Sequence, residues 1–446
     1  MRASWVSKTV LLIIAKYVVI IFSTIIAYHI LFAPFHTFTP FSTPTKHVFN
    51  RSIDIRWPKH LKSLLIFPAS LKLVFIDDPF LTCVVDADQA KKAHACQKLA
   101  SAETTRIGTY LSIPAFKKVF NSKVLNNTTT NDTWTLEPQT YADALVLKYH
   151  YHENFDKYVI INSLEKKNGT NYHLLRGARD LKTIGIRHFT NDKFSLTSTV
   201  GVKKCESECY AFLPKELHRH MAYLKAVEML YCDQNLAKIN VLPNATWNIP
   251  KKALTVLDDL IDEYIDSNQI PFMCHGTMLG WYRDCGIIPH TTDMDYCIKA
   301  EEYVEDFHTK FINHKTHPPM RIIGKAEYGF ELTYWLYHDE KGYGPAWVDF
   351  FYMYKENATH SWTPLLMDFS RGVRVKDYVA LVDKLCTGDI YGHLYFIPCE
   401  PLAYLDTRYG ETWNKSNPDA GYFEKGVQYA KNGNWNMKQG EYYKSF

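Results

Sequence analysis

The chain has 446 residues, 46% of them hydrophobic and 22% charged. That length admits about two or three domains, and the composition excludes a wholly disordered chain. Lys and Arg number 51 against 47 Asp and Glu, too even a balance for a protein that works by neutralising nucleic-acid phosphates. Aromatic residues make up 15%. That suits stacking on sugars or nucleotides, and equally a tyrosine-rich core.

The first element in chain order is a membrane anchor. Val10–Phe32 is 23 residues long with Lys16 as its one charge. A helix of that length spans about 35 Å, enough for a bilayer with some tilt. The run is too long for a signal-peptide core, and no small-residue cleavage site follows it. Arg2 and Lys8 precede it, and the next Lys or Arg after it is Lys46. The positive-inside rule puts residues 1–9 in the cytosol, the anchor at 10–33, and the remainder in a lumen or outside the cell. Eight Asn-x-Ser/Thr sequons, at Asn50, Asn126, Asn127, Asn131, Asn168, Asn244, Asn357 and Asn414, agree with that side. The ten cysteines are an even number. In an oxidising lumen they are expected to pair, Cys205 and Cys209 included, with no pairing readable from sequence.

Residues 34–62, rich in Pro, Thr, Ser and Phe, form a stem. Residues 63–240 read as a mixed α/β luminal domain. Leu71–Ile76 is a predicted strand, Ala144–His152 and Tyr158–Ser163 a strand pair, and Leu217–Leu236 a helix. Asp86 and Asp88 form an Asp-x-Asp at the start of a helical pattern, where acids complement the dipole. A Pro/Asn segment over 241–250 marks a boundary, and 250–446 is the second domain. Within it, Leu254, Leu257, Leu260, Ile261 and Tyr264 predict an amphipathic helix over Lys251–Ser267.

The chemistry concentrates after that helix. Ile270–Cys274 is a short apolar strand, Gly276-Thr277 a small-residue turn, and Met278–Arg283 the first turns of a helix. Such a turn can offer backbone N–H groups to a phosphate, unless it is only a tight structural turn. Asp293-Met294-Asp295 opens a second strand. Residues i and i+2 share a strand face, so the two carboxylates converge. Ala346–Tyr354 is the strongest strand in the chain, apolar except for Asp349. A charge there is costly unless it is paired or metal-bound. Asp293, Asp295 and Asp349 are therefore the candidate ligands of Mg²⁺ or Mn²⁺, which prefer hard oxygen donors. Arg283 is a candidate contact to a diphosphate, with Asp284 or Glu331 as alternative partners. Trp281 and Tyr282 read as core residues before base-stacking ones. His275 and His290 flank the site with no assigned role.

Gly276-Thr-x-Leu279-Gly-Trp-Tyr-Arg283, then Ile288-Pro289 and Asp293-x-Asp295, resembles the signature of the fukutin and LicD family. Cys285, Phe330-Glu331-Leu332, Val348-Asp349-Phe-Phe351, Pro398-Cys-Glu400 and Tyr409-Gly-x-Thr-Trp413 follow in the order of its fukutin branch. The resemblance covers about 254–436. It implies a nucleotidyltransferase-like catalytic domain in an α/β (α+β) protein held in the Golgi or endoplasmic reticulum membrane in type II orientation. It implies transfer of an alditol phosphate of the ribitol 5-phosphate kind from a CDP-alditol donor to a glycoprotein glycan, with Asp293, Asp295 and Asp349 at the metal-acid positions and Gly276, Thr277 and Arg283 at the phosphate. Nucleic acid is not an expected partner. Other Golgi glycosyltransferases, or a second copy of the chain, are. The competing readings are a phosphocholine or sugar transferase using the same acids, and a non-catalytic partner of another glycosyltransferase.

Overall fold

The computed structural model describes residues 71, 73–77, 81–82, 104–123, 133–136, 144–151, 155–165, 168–172, 174–175, 193–194, 199–203, 210–214, 216–241, 247–305, 307–312, 319–337, 346–368, 373–416, 429–434 and 443–445. Two units are distinguished, Met1–Asn50 and Arg51–Phe446, and every described residue belongs to the second. The expected tail, anchor and stem, Asp86, Asp88, Cys205 and Cys209 all lie outside the described residues. Among the described residues no helix is long and apolar enough to cross a membrane.

The architecture is mixed α+β, built on two sheets. The N-terminal sheet contains β1 (Leu73–Phe75), β2 (Thr104–Thr109), β3 (Thr133–Leu136), β4 (Ala144–Tyr151), β5 (Phe155–Glu165), β6 (Leu174–Leu175), β7 (Lys193–Phe194), β8 (Thr199–Lys203) and β9 (Tyr210–Pro214). Its main path runs β3-β4-β5-β2-β1-β9-β8. The strand pair predicted at 144–163 is present as antiparallel β4 and β5. Leu145, Val146 and Leu147 on β4 and Val159, Ile160 and Ile161 on β5 are all fully buried, so both faces of this strand pair are covered. Helix α1 (Ile113–Lys123) contributes Phe116 and Phe120 to this core.

The predicted helix Leu217–Leu236 is two helices, α2 (Leu217–Leu224) and α3 (Gln234–Asn240). Between them the chain is extended. Val227 N–H donates to the Leu385 carbonyl, Leu230 N–H to that of Thr387, and Thr387 N–H back to that of Glu228. Adding an edge to a sheet satisfies backbone groups that helix continuation would have satisfied, so an apolar run alone does not decide between them. Asp233 carries the overlooked signal. Its carboxylate accepts the N–H groups of Asn235 and Leu236 at 2.9 and 3.1 Å, which starts α3 afresh. Helix α2 lies between the two sheets: His220 Nε2 is 3.1 Å from the Ile76 carbonyl, and Tyr223 OH donates to that of Leu394.

Helix α4 (Ala253–Asp266) falls where its periodicity predicts. Leu254, Leu257, Leu260, Ile261 and Tyr264 are buried, and the Tyr264 ring stacks on Phe350 at 4.4 Å. Short helices α5 (His275–Leu279), α6 (Phe307–Ile312) and α7 (Pro401–Tyr409) follow. The C-terminal sheet has eleven strands. They are β10 (Phe272–Met273), β11 (Asp293–Lys299), β12 (Pro319–Lys325), β13 (Gly329–Tyr337), β14 (Ala346–Lys355), β15 (His360–Asp368), β16 (Val373–Ala380), β17 (Leu385–Ile390), β18 (His393–Pro398), β19 (Tyr429–Asn434) and β20 (Tyr443–Ser445). The main path is β17-β18-β10-β11-β14-β13-β12-β20, with β15, β16 and β19 continuing from β14. Strands β11 and β14 run parallel, and β14 and β13 antiparallel. Among the described residues three disulfides tie the region: Cys232–Cys285, Cys274–Cys297 and Cys386–Cys399.

Candidate active site

The parallel register of β11 and β14 sets Asp295 directly beside Asp349 and Asp293 beside Trp347. Directly paired residues project from the same face of a sheet. Asp293, Asp295 and Asp349 therefore converge, and one carboxylate oxygen from each lies within 4.8 Å of the others. The row continues across the sheet. Asp349 pairs with Thr333 on β13, and Thr333 with Arg321 on β12. Glu331, two residues from Thr333 on the same strand, shares that face.

These groups contact one another. The Thr333 hydroxyl donates to Asp349 Oδ1. Arg321 Nη2 donates to the same oxygen at 3.2 Å and to Glu331 Oε1 at 3.4 Å, and Arg321 Nε donates to Thr333 Oγ1 at 2.8 Å. Burial pushes the Glu331 carboxyl up to about 8, with Asp349 adding to the effect. Burial likewise raises Asp349 to about 6, while Arg321 and Thr333 pull it down. Asp295 is carried well above the usual carboxylate range by burial, then by Asp293 and Asp349.

The Gly276-Thr277 turn is bound to Asp295. Gly276 N–H donates to Asp295 Oδ2 at 2.9 Å, and Asp295 N–H donates to Thr277 Oγ1 at 2.7 Å. The turn therefore fixes both the backbone and the carboxylate of Asp295. Gly276 allows a close approach: a Cβ there would stand a tight 3.1 Å from Asp295 Oδ2, which would have to give way. The helix starts earlier than predicted, at His275, and passes into a π-helical turn over Gly280–Asp284. Arg283 in that turn donates through Nε and Nη2 to both oxygens of Asp284 at 2.8 Å, and through Nη1 to the Trp413 carbonyl at 3.4 Å. Of its two alternative acids it takes Asp284, and none of these contacts joins it to the three aspartates. Trp281 is fully buried, whereas Tyr282 is half-buried and packs edge-on to Trp413. His290 is exposed.

A second polar cluster lies behind the turn. His275, at φ 42°, is buried with Asp377, Arg408 and Thr363. Arg408 Nε stands 2.7 Å from Asp377 Oδ2 and donates to His275 Nδ1 at 3.3 Å. Arginine cannot accept, so Nδ1 is the acceptor and Nε2–H donates to Thr363 Oγ1, 3.0 Å away. Burial and Arg408 hold the imidazole well below its usual pKa, and hence neutral. Tyr404, also on α7, accepts the His275 N–H at 3.1 Å. Helix α7 thus grips the turn that grips Asp295. Cys274, His275 and Cys297 also lie within ligand distance of one another. Their sulfurs are joined as a disulfide and both imidazole nitrogens are engaged, so this group is structural.

One atom in the acid cluster lacks a partner. Asp295 Oδ1 is buried and accepts no hydrogen bond among the described residues. A carboxylate oxygen buried without a donor is costly. Mg²⁺ or Mn²⁺, held by Asp293, Asp295 and Asp349, would satisfy it, and an all-carboxylate donor set is the chemistry those ions favour. Sequence reasoning missed Arg321, Thr333, Asp377 and Arg408. Glu331 was named only as part of a motif and as a partner for Arg283.

Residues 269–400 match the family model described as LicD/FKTN/FKRP, nucleotidyltransferase domain. The uncharacterized protein W02B3.4 of Caenorhabditis elegans is 33% identical over 195 residues, covering 41% of this chain and 48% of that protein. The uncharacterized protein T07A5.1 of the same organism is 26% identical over 298 residues, 64% of this chain and 77% of its own length. Ribitol-5-phosphate transferase FKTN of Mus musculus is 30% identical over 184 residues, 41% of this chain and 36% of that protein. The chain therefore spans about half of the first relative and about a third of the mouse protein. The matched region contains the strands that carry all three aspartates, and over it the chain is similar to the LicD family and to its fukutin branch.

Proposed function

We propose that the chain is a metal-dependent transferase. It moves an alditol phosphate, of the ribitol 5-phosphate kind, from a CDP-activated donor to a hydroxyl of a glycoprotein glycan and releases CMP. The observation that carries this reading is the convergence of Asp293, Asp295 and Asp349 around the unpartnered Asp295 Oδ1. The resemblance to ribitol-5-phosphate transferases supports the donor class. The predicted anchor at 10–33 supports a type II protein of the Golgi membrane, where donor and glycan acceptors meet.

In this reaction the acceptor oxygen forms a bond to the β-phosphorus, the bridging P–O bond to CMP breaks, and the hydroxyl proton is lost. A bound Mg²⁺ or Mn²⁺ would neutralise charge on the diphosphate and lower the hydroxyl's pKa. The protein's own residues do the positioning. Gly276 and Thr277 hold Asp295 by its carboxylate and its N–H. Thr333 holds Asp349 by Oδ1. Because Asp349 and Asp295 are direct neighbours across two hydrogen-bonded strands, their separation is set by the sheet and not by a loop.

The test is CMP release by the purified full chain in detergent. CDP-ribitol, CDP-glycerol and CDP-choline are offered with acceptor glycans and Mn²⁺ or Mg²⁺, then with EDTA. The expected result is metal-dependent release with one donor, abolished in Asp295→Ala. Turnover of UDP-sugars alone would replace this reading with a sugar transferase. A folded protein inert towards every donor would leave a non-catalytic partner.

A further inference from the structure

The acid cluster faces an electrostatic difficulty that its own residues address. Asp293, Asp295, Asp349 and Glu331 gather four carboxyl groups on one sheet face. A diphosphate approaching that face is repelled unless cations meet it. Three guanidinium groups have been placed near the site. Arg283 is buried against Asp284, and Arg408 is buried against Asp377 and His275. Arg321 differs: its side chain is 30% exposed, against 6% for Asp349 and 5% for Glu331. Of the three, only Arg321 both touches a site acid and reaches solvent.

Its position follows from the sheet. Arg321 lies two strands from Asp349, a backbone separation of roughly 10 Å at about 4.8 Å per strand. Its side chain leans back along the row, past Thr333, to reach Asp349 Oδ1. Both hydrogen bonds to that carboxylate fall on Oδ1. The Arg321 contacts to Asp349 and Glu331, at 3.2 and 3.4 Å, exceed the roughly 2.7–2.9 Å of a tight charge-assisted bond. The guanidinium is oriented by these neighbours at the edge of the acid cluster.

We infer that Arg321 is the side chain that receives the donor's diphosphate. Its planar fork suits two phosphate oxygens at once. The inference rests on the reading proposed above, since it takes the ligand to be a nucleoside diphosphate beside a metal held by the three aspartates.

The experiment uses the full chain in detergent and two direct binding measurements without turnover. Mn²⁺ binding is followed by electron paramagnetic resonance, and CDP and cytidine binding by calorimetry at saturating Mn²⁺. In Arg321→Gln, CDP affinity should fall about tenfold or more, the size of one lost charge-assisted contact. Cytidine affinity should stay within about twofold, and Mn²⁺ affinity should be undiminished. Arg321→Lys keeps the charge without the fork and should lose part of the CDP affinity; if the glutamine variant fails to fold, this variant decides. CDP affinity equal to wild type in the folded variants overturns the inference. So does a parallel loss of Mn²⁺ binding, which would make Arg321 only a support for Asp349. A wild-type chain that binds neither Mn²⁺ nor CDP overturns the functional reading, and this inference with it.

Discussion

Thr277 is the clearest point at which a single atom supports the site. Its hydroxyl accepts the Asp295 N–H at 2.7 Å in a buried setting. Thr277→Val preserves shape and removes the acceptor. Asp295 N–H then has no acceptor in a place that water does not reach, a cost of about 1–3 kcal/mol. For a unit the size of Arg51–Phe446 roughly 1 °C of melting temperature goes with each kcal/mol, so a fall of roughly 1–4 °C is expected. Thr277→Ser keeps the oxygen and gives up only a methyl group, so it should stay near wild type. Hydrogen exchange gives a local readout. Protection of the Asp295 amide should drop by roughly 5- to 150-fold in the valine variant, the kinetic equivalent of the same free energy. The reasoning is refuted if valine and serine variants melt together, or if the Asp295 amide is equally protected in both.

Other predictions follow from the same geometry. Asp295→Asn removes a carboxylate whose pKa is raised by burial and by Asp293 and Asp349. An acid with a raised folded pKa costs stability as pH climbs from its unfolded pKa through the folded one. In EDTA the variant should therefore exceed wild type in urea stability at pH 7.5, with the gap closing towards pH 4. Mn²⁺ should stabilise wild type and not the variant; a gap that widens on acidification would contradict the assignment. Arg408→Met strands Asp377, which is fully buried, and should cost about 3–5 kcal/mol by urea denaturation. Asp377→Leu combined with Arg408→Met should recover much of that loss; additive losses would show the pair is not coupled. Gly388→Ala places a Cβ 2.5 Å from the Trp281 ring and should cost about 1–3 kcal/mol, read by thermal melting.

Periodicity located the elements that a single stretch of chain specifies. Helix α4 occupies Ala253–Asp266 because its apolar residues recur every three and four positions, and β14 occupies Ala346–Lys355 because a long β-branched and aromatic run has no other favourable form. The pairing of Asp293 with Asp295 was legible too, since i and i+2 share a face on any strand. The break between α2 and α3 was legible only in the Asp233 cap that restarts the helix; the extended stretch before it was not, because an edge of β17 competes there for the same backbone groups. Nor were the duties of the Gly276-Thr277 turn and Arg283: which acceptor a donor meets depends on what is folded against it.

The sequence by itself determined which residues bear charge within apolar strands, and so named the three aspartates. Only the tertiary structure decided that β11 and β14 are parallel neighbours in a register that sets Asp295 beside Asp349. Arg321 and Asp377 illustrate the difference. One is 28 positions from Asp349 and the other 31 from Arg408, separations at which sequence carries no geometric information. Contacts within an element are set by local periodicity, whereas contacts between elements are set by strand order and register, which the whole core fixes together.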